Sequence, residues 1–314
     1  MLFLQCMGFG GKMAINSFVL LSGYFVCKQK VTWLKLLKLF TMIYFYNILF
    51  YIVFLFTGHE EITLKSIYKV VFNPFYGIER GFTGSFLAFY CLVPFLNRFL
   101  QSLNQKLHLR LILLLLFIYT FVATFLLNTV AFSHIWWYVT LYFIAAYIRL
   151  YPNKYTDNKK LALWVFICSV LLIFASIVVV DFIGSRIGFT NYYHMCNDSQ
   201  KFLALTGGLS LFLYFKNVQI KHSKFINTIA STTFGVLLIH ANSNAMRTFL
   251  WQDTLQNTAF YDSAWLPLHM LISVVGVYVI CVAIDYLRIK FLEKPIFSKL
   301  STKYSILYKE CFVE

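Results

Sequence analysis

The feature that most constrains this chain is a succession of long apolar runs, each closed by a short polar stretch. A helix rising 1.5 Å per residue needs about 20 residues to cross the hydrocarbon core, and runs near that length recur from end to end. They cover 6–27, 39–57, 83–101, 109–128, 134–150, 161–181, 200–215, 227–242 and 266–290. In lipid every backbone N–H and C=O needs an internal partner, so such runs are expected as helices. A β-barrel would instead show short alternating segments. The expected fold class is therefore all-α: a polytopic integral membrane bundle of about nine transmembrane helices. No repeat, linker or low-complexity tract divides the chain, so a single domain over 1–314 is expected.

Composition agrees with the bilayer as solvent. Sixty per cent of the 314 residues are apolar or aromatic and 12 % are charged, too few polar groups to clothe a soluble domain of this size. The net charge of +15 invites a nucleic-acid reading. However, the basic residues lie between the apolar runs rather than on one solvated face, so no nucleic-acid partner is expected. They alternate loop by loop. One set holds Lys28, Lys30, Lys35 and Lys38, then Arg98, Lys106 and Arg110, then Arg149, Lys154, Lys159 and Lys160. Lys216, Lys221 and Lys224 follow, and the tail adds Arg288, Lys290, Lys294, Lys299, Lys303 and Lys309. The opposite set has only Lys12, Lys65, Lys69, Arg80, Arg186, Lys201 and Arg247. Basic loops stay in the cytoplasm, which puts the C-terminus there and Met1 outside, in a plasma membrane whose lipids are the first partner. The seven cysteines are scattered with no CxxC pair, so neither a metal site nor a disulfide framework is implied.

The loops on the less basic side are the longer ones. Residues 58–82, 182–199 and 243–265 mix aromatics, amides and both charge signs, a composition that suits sugars and equally an aromatic belt at headgroup level. Polar groups inside the bilayer are costly and so are functional candidates. The first run carries Lys12, Asn16, Ser17 and Ser22, either as a functional stripe or as hydrogen bonds that stitch helices together. His240 closes the eighth run in LLIHANSN, followed by Asn242 and Asn244. A neutral imidazole there can serve as general base toward a hydroxyl, or simply bond a carbonyl. His134, His194 and His269 are loop or belt positions, while His59, His108 and His222 sit in charged loops and are expected to be solvated. Lys28, Lys35 and Lys38, beside Trp33, could meet a nucleotide-like phosphate donor or lipid headgroups.

Three segments carry a family resemblance. Asn16 to Phe25, NSFVLLSGYF, resembles the N-x-F-x-x-x-SGY-F signature of the second helix in integral-membrane acyltransferases of the acyltransferase 3 type. Ser85 to Asn97, SFLAFYCLVPFLN, is similar to that family's helix ending in PfLN and contains Tyr90. Ser231 to His240, STTFGVLLIH, resembles its helix ending in LiH. The three occur in order and span most of the chain. The resemblance implies a ten-helix fold and O-acylation, most often O-acetylation, of surface polysaccharides or lipid-linked glycans, with acetyl-CoA as donor substrate and no permanently bound cofactor. It also implies His240 as catalytic and Asn16, Ser22, Tyr24, Tyr90, Asn97 and Asn242 as substrate-binding, with Lys28, Lys35 and Lys38 toward the donor. The family's first helix carries an Arg or Lys followed by a His taken as catalytic, and this chain starts where the second helix would. The expectation is that this helix is missing, through truncation or a misplaced start. The alternatives from other classes are a polysaccharide flippase or export component and an inactive remnant.

Overall fold

The structure is a computed structural model that describes residues 6–79, 81–126, 133–184, 186, 188 and 191–312. Met1, Arg80 and residues 127–132, where the fourth run was expected to end, lie outside the described residues. The molecule is 78 % helical, with no strand among the described residues. The main helices are α1 (Gly10–Val26), α2 (Trp33–Phe56), α3 (Leu64–Tyr76), α4 (Phe82–Ser102) and α5 (Gln105–Phe125). They continue as α6 (His134–Leu150), α7 (Lys159–Gly184), α8 (Phe202–Lys216), α9 (Lys224–His240) and α10 (Leu266–Arg288). Each expected run falls on one of these helices. Among the described residues, five helices are long and apolar enough to cross a membrane: α2, α4, α5, α7 and α10 with its extension to Leu300. At 17 residues apiece, α1, α6 and α9 rise about 26 Å, close to the hydrocarbon thickness.

Two compact units emerge, the first made of residues 1–30 and 92–220, the second of 31–91 and 221–314. In the first, α1 packs against both α6 and α8, and α8 packs against α7. From Trp137 to Ala146 every residue of α6 is buried, as expected of a helix apolar all round. α1 and α8 meet at Gly208, where a Cβ would come within 2.7 Å of Asn16 Cβ and 2.8 Å of the Met13 carbonyl. Small residues of this kind let helix backbones touch in lipid, where packing replaces the hydrophobic drive.

His108 corrects one expectation. It is buried rather than solvated, and its Nε2 lies 2.9 Å from the Phe143 carbonyl on α6. Its charged neighbours Lys106 and Arg110 are each two positions away, which on a helix turns them to the opposite face.

The second unit pairs α9 with α10, with α2 alongside α9. It also holds an element the apolar runs did not announce. Within the segment read as a loop, Leu64–Tyr76 forms α3, started by a capping box in which Thr63 Oγ1 accepts from the Ser66 N–H at 3.1 Å and Ser66 Oγ accepts from the Thr63 N–H at 3.0 Å. This helix lies along α2, with Tyr51 Oη 2.9 Å from Ser66 Oγ and Tyr44 Oη donating to the Val71 carbonyl at 3.0 Å. It is amphipathic, with Ile67, Tyr68, Val71, Phe72 and Phe75 exposed and Lys65, Lys69 and Asn73 on another face. Such a helix suits the interfacial plane of a bilayer.

Candidate functional site

The polar face of α3 closes a cavity of about 670 Å³ within the second unit. Asn47, Tyr51 and Phe54 of α2 form one wall, and Lys65, Lys69 and Asn73 of α3 form another. The 58–61 segment supplies His59, Glu60 and Glu61, and Asn242, Ser243 and Asn244 close the fourth side. A second cavity of about 220 Å³ shares Asn47, Asn73 and Asn242 and adds Leu237, Ala241 and Arg247. Both cavities therefore converge on amides.

Asn47 is the most informative of these residues. Its Oδ1 accepts from Asn242 Nδ2 at 3.3 Å, and Asn242 Nδ2 also donates to the Leu238 carbonyl at 3.1 Å. Asn47 Nδ2 is buried and has no hydrogen-bond partner. A buried N–H without an acceptor is costly, so a donor left in a cavity wall is suited to a ligand oxygen or an ordered water.

Two imidazoles belong to this region. His240 ends α9, with Nδ1 2.7 Å from the Val236 carbonyl one turn back. When Nδ1 donates that bond, Nε2 carries the lone pair, which is the tautomer a general base needs. His240 is half-buried and is not itself among the cavity-lining residues, although the next residues, Ala241 and Asn242, are. His59 does line the larger cavity. Its Nε2 is 3.3 Å from Asp253 Oδ2, its Nδ1 is 3.0 Å from Thr57 Oγ1, and its side chain is 30 % exposed. A carboxylate-paired imidazole on a cavity wall has the right partners for acid–base work, and its position inside a charged loop had concealed it.

A buried charge network also went unread in the sequence. Asp285 on α10 is fully buried, and its Oδ1 accepts from Tyr46 Oη at 2.7 Å and from Arg288 Nε at 2.6 Å. Arg288 Nη1 donates to Glu293 Oε2 at 2.8 Å, and Lys38 Nζ stands 3.8 Å from Glu293 Oε1. α9 approaches this carboxyl so closely that a Cβ on Gly235 would collide with it. The network places Lys38 beside Glu293 and over the Phe297 ring. Lys35 is exposed on the same helix. The signal was present: Asp285 is an acid inside a long apolar run, three residues before an arginine.

The remaining expected residues fall on the first unit, apart from Tyr90. Asn16 is fully buried; its Nδ2 donates to the carbonyls of Ser199 at 2.7 Å and Ala204 at 3.1 Å, and its Oδ1 accepts from Trp137 Nε1 at 2.9 Å. Asn97 Nδ2 donates to the Val26 and Gln29 carbonyls at 3.1 and 3.3 Å, while Tyr142 Oη donates to its Oδ1. Both amides thus spend their capacity on stitching helices, and Asn97 satisfies carbonyls orphaned at the end of α1. Ser22 Oγ donates to the Phe18 carbonyl at 2.9 Å, and Tyr24 Oη accepts from Arg149 Nη1 at 2.8 Å. Lys28 is exposed just beyond α1. Tyr90 is half-buried on α4, its ring 6.2 Å from Phe86.

A family model described as an acyltransferase domain, Acyl_transf_3, matches residues 2–286. The chain belongs to the acyltransferase 3 family. As a family member it is a membrane acyltransferase, and the match takes in α1 to α9, both cavities and Asp285. No curated protein and no solved structure matches this chain.

Proposed function

We propose that this acyltransferase moves an acetyl group from acetyl-CoA to a sugar hydroxyl of a cell-surface polysaccharide or a lipid-linked glycan, in the plasma membrane and with the C-terminus cytoplasmic. The observation that carries the acceptor is the 670 Å³ cavity of the second unit. Amides, several hydroxyls, both charge signs and the rings of Tyr51 and Phe54 surround it, and an unpaired Asn47 N–H is available to a sugar oxygen. The cavity lies on the side with few basic loops, where an envelope glycan would be met. In the reaction the acceptor hydroxyl gives its proton to a base as its oxygen attacks the thioester carbonyl, and the coenzyme thiolate departs with the electron pair of the C–S bond. His240 is the base first expected, and its Nδ1 bond to Val236 leaves Nε2 able to take that proton. His59, on the cavity wall with its Nε2 held by Asp253, is the second candidate base and would take the proton on Nδ1 in exchange for its contact with the Thr57 hydroxyl. Lys28, Lys35 and Lys38 lie on the basic side and would meet the donor's phosphates.

The test is acetyl transfer by the purified chain in lipid discs, with radiolabelled acetyl-CoA and an oligosaccharide acceptor. His240→Ala and His59→Ala are then compared at matched expression. A drop of about a hundredfold or more in one of them identifies the base. Labelled acetyl-CoA that transfers nothing to any glycan offered, alongside transport of that glycan, would put the chain among export components instead.

A further inference from the structure

A third cavity, a cleft in the first unit, takes no part in the acyl transfer proposed for the second. It encloses about 540 Å³ between α1 and α8. Leu21 and Phe25 form one wall and Leu211 and Phe215 the other; Leu21, Phe25 and Phe215 are 48, 50 and 62 % exposed, so the walls open sideways along the apolar belt. Two cations close its basic end, Arg149 in the last turn of α6 and Lys216 at the end of α8.

The cations differ. Lys216 is already held by Asp157, with Nζ 2.6 Å from Oδ1. No carboxylate pairs with Arg149 among the described residues. Its Nη1 donates to Tyr24 Oη at 2.8 Å, and its guanidinium carbon stands 4.6 Å from the Tyr24 ring centre. Its Nε is buried and has no hydrogen-bond partner. The tyrosine fixes the plane of the guanidinium but cannot neutralise it. A buried, oriented N–H on an uncompensated cation calls for an anionic oxygen, and a guanidinium fork suits a phosphate better than an ammonium would.

We propose that this cleft holds an anionic phospholipid, its phosphodiester on Arg149 and one acyl chain along Leu21, Phe25, Leu211 and Phe215. Charge and shape both favour this occupant. One monoanionic phosphodiester matches the one uncompensated cation. A coenzyme carries several phosphate charges and a polar nucleoside, which would leave the apolar walls unused. Free phosphate would leave them bare as well. The arginine lies on the basic side of the chain, where the leaflet rich in anionic lipid is expected. The lipid would tie together the ends of α1, α6 and α8 at the basic side, independently of which glycan the enzyme acylates.

The experiment is native mass spectrometry of the full chain in neutral detergent, titrated with phosphatidylglycerol or phosphatidylcholine of the same acyl chains. The wild type should retain one phosphatidylglycerol roughly tenfold more tightly than phosphatidylcholine, and Arg149→Gln should bring the two level. Leu21→Trp blocks the exposed apolar wall while leaving Arg149 in place, and should lower retention of both lipids. Equal retention of phosphatidylglycerol by wild type and Arg149→Gln would overturn the proposal. So would displacement of the lipid by coenzyme A with loss of coenzyme A binding in Arg149→Gln, which would assign the cleft to a soluble phosphate ligand. Should Arg149→Gln fail to fold, unchanged lipid retention in Leu21→Trp overturns it alone.

Discussion

Asp285→Ala is the perturbation whose size follows most directly from the geometry. The carboxylate is fully buried and accepts from Tyr46 Oη at 2.7 Å and Arg288 Nε at 2.6 Å. Removing it leaves a buried hydroxyl without its acceptor and a buried guanidinium with Glu293 alone. Breaking a buried ion pair by deleting one partner costs about 3–5 kcal/mol, because the surviving charge stays desolvated. At about 2–4 °C per kcal/mol for a chain of this size, the melting midpoint in detergent should fall by roughly 10 °C. Thermal unfolding followed by intrinsic fluorescence reads the shift. Asp285→Leu combined with Arg288→Met removes both charges and should recover most of the loss, since apolar replacement of a buried pair is often neutral. A single variant that melts within about 1 °C of wild type, or a double variant that is worse than the single, would refute the reasoning.

Asn47→Leu removes the unpaired amide from the cavity wall; acceptor KM should rise about fivefold while the melting midpoint holds or rises, as steady-state kinetics and unfolding together would read. Gly208→Val drives a side chain into Asn16 and the Met13 carbonyl, which should cost about 1–3 kcal/mol and be visible as a lower melting midpoint. Burial, helped by Cys91 and Glu310, pushes the Cys311 thiol up to about 11. Cys311 is also fully buried, so iodoacetamide at pH 8 should label it at least about tenfold more slowly in the folded chain than in the same chain unfolded in urea, as peptide mass spectrometry would read; equal rates would refute this burial.

The parts of the fold legible in the sequence were those set by the bilayer. Runs such as 161–181 and 266–290 can do nothing in lipid but form helices, and each does. The resemblance carried by Asn16 to Phe25 and Ser231 to His240 led to the right family. What stayed hidden depends on partners far along the chain. Arg149 read as one more orientation charge because Tyr24, the residue it stacks on, is 125 positions away. His59 is exposed, as expected, but its pairing with Asp253, 194 positions away, left no trace in the local sequence. Asp285 was lost in the average hydrophobicity of its run, and α3 was too short and too polar to register as a span. Local pattern records which solvent a segment meets; only the tertiary structure records which polar groups meet each other.

Acyl transfer to an envelope glycan is tested most directly by proton NMR of the surface polysaccharide from cells with and without the gene. The O-acetyl signal should disappear on deletion, return when the gene is restored, and fail to return with His240→Ala or with His59→Ala, whichever residue is the base. An acetyl pattern unchanged by deletion, on the polysaccharide and on its lipid-linked precursor alike, would contradict it.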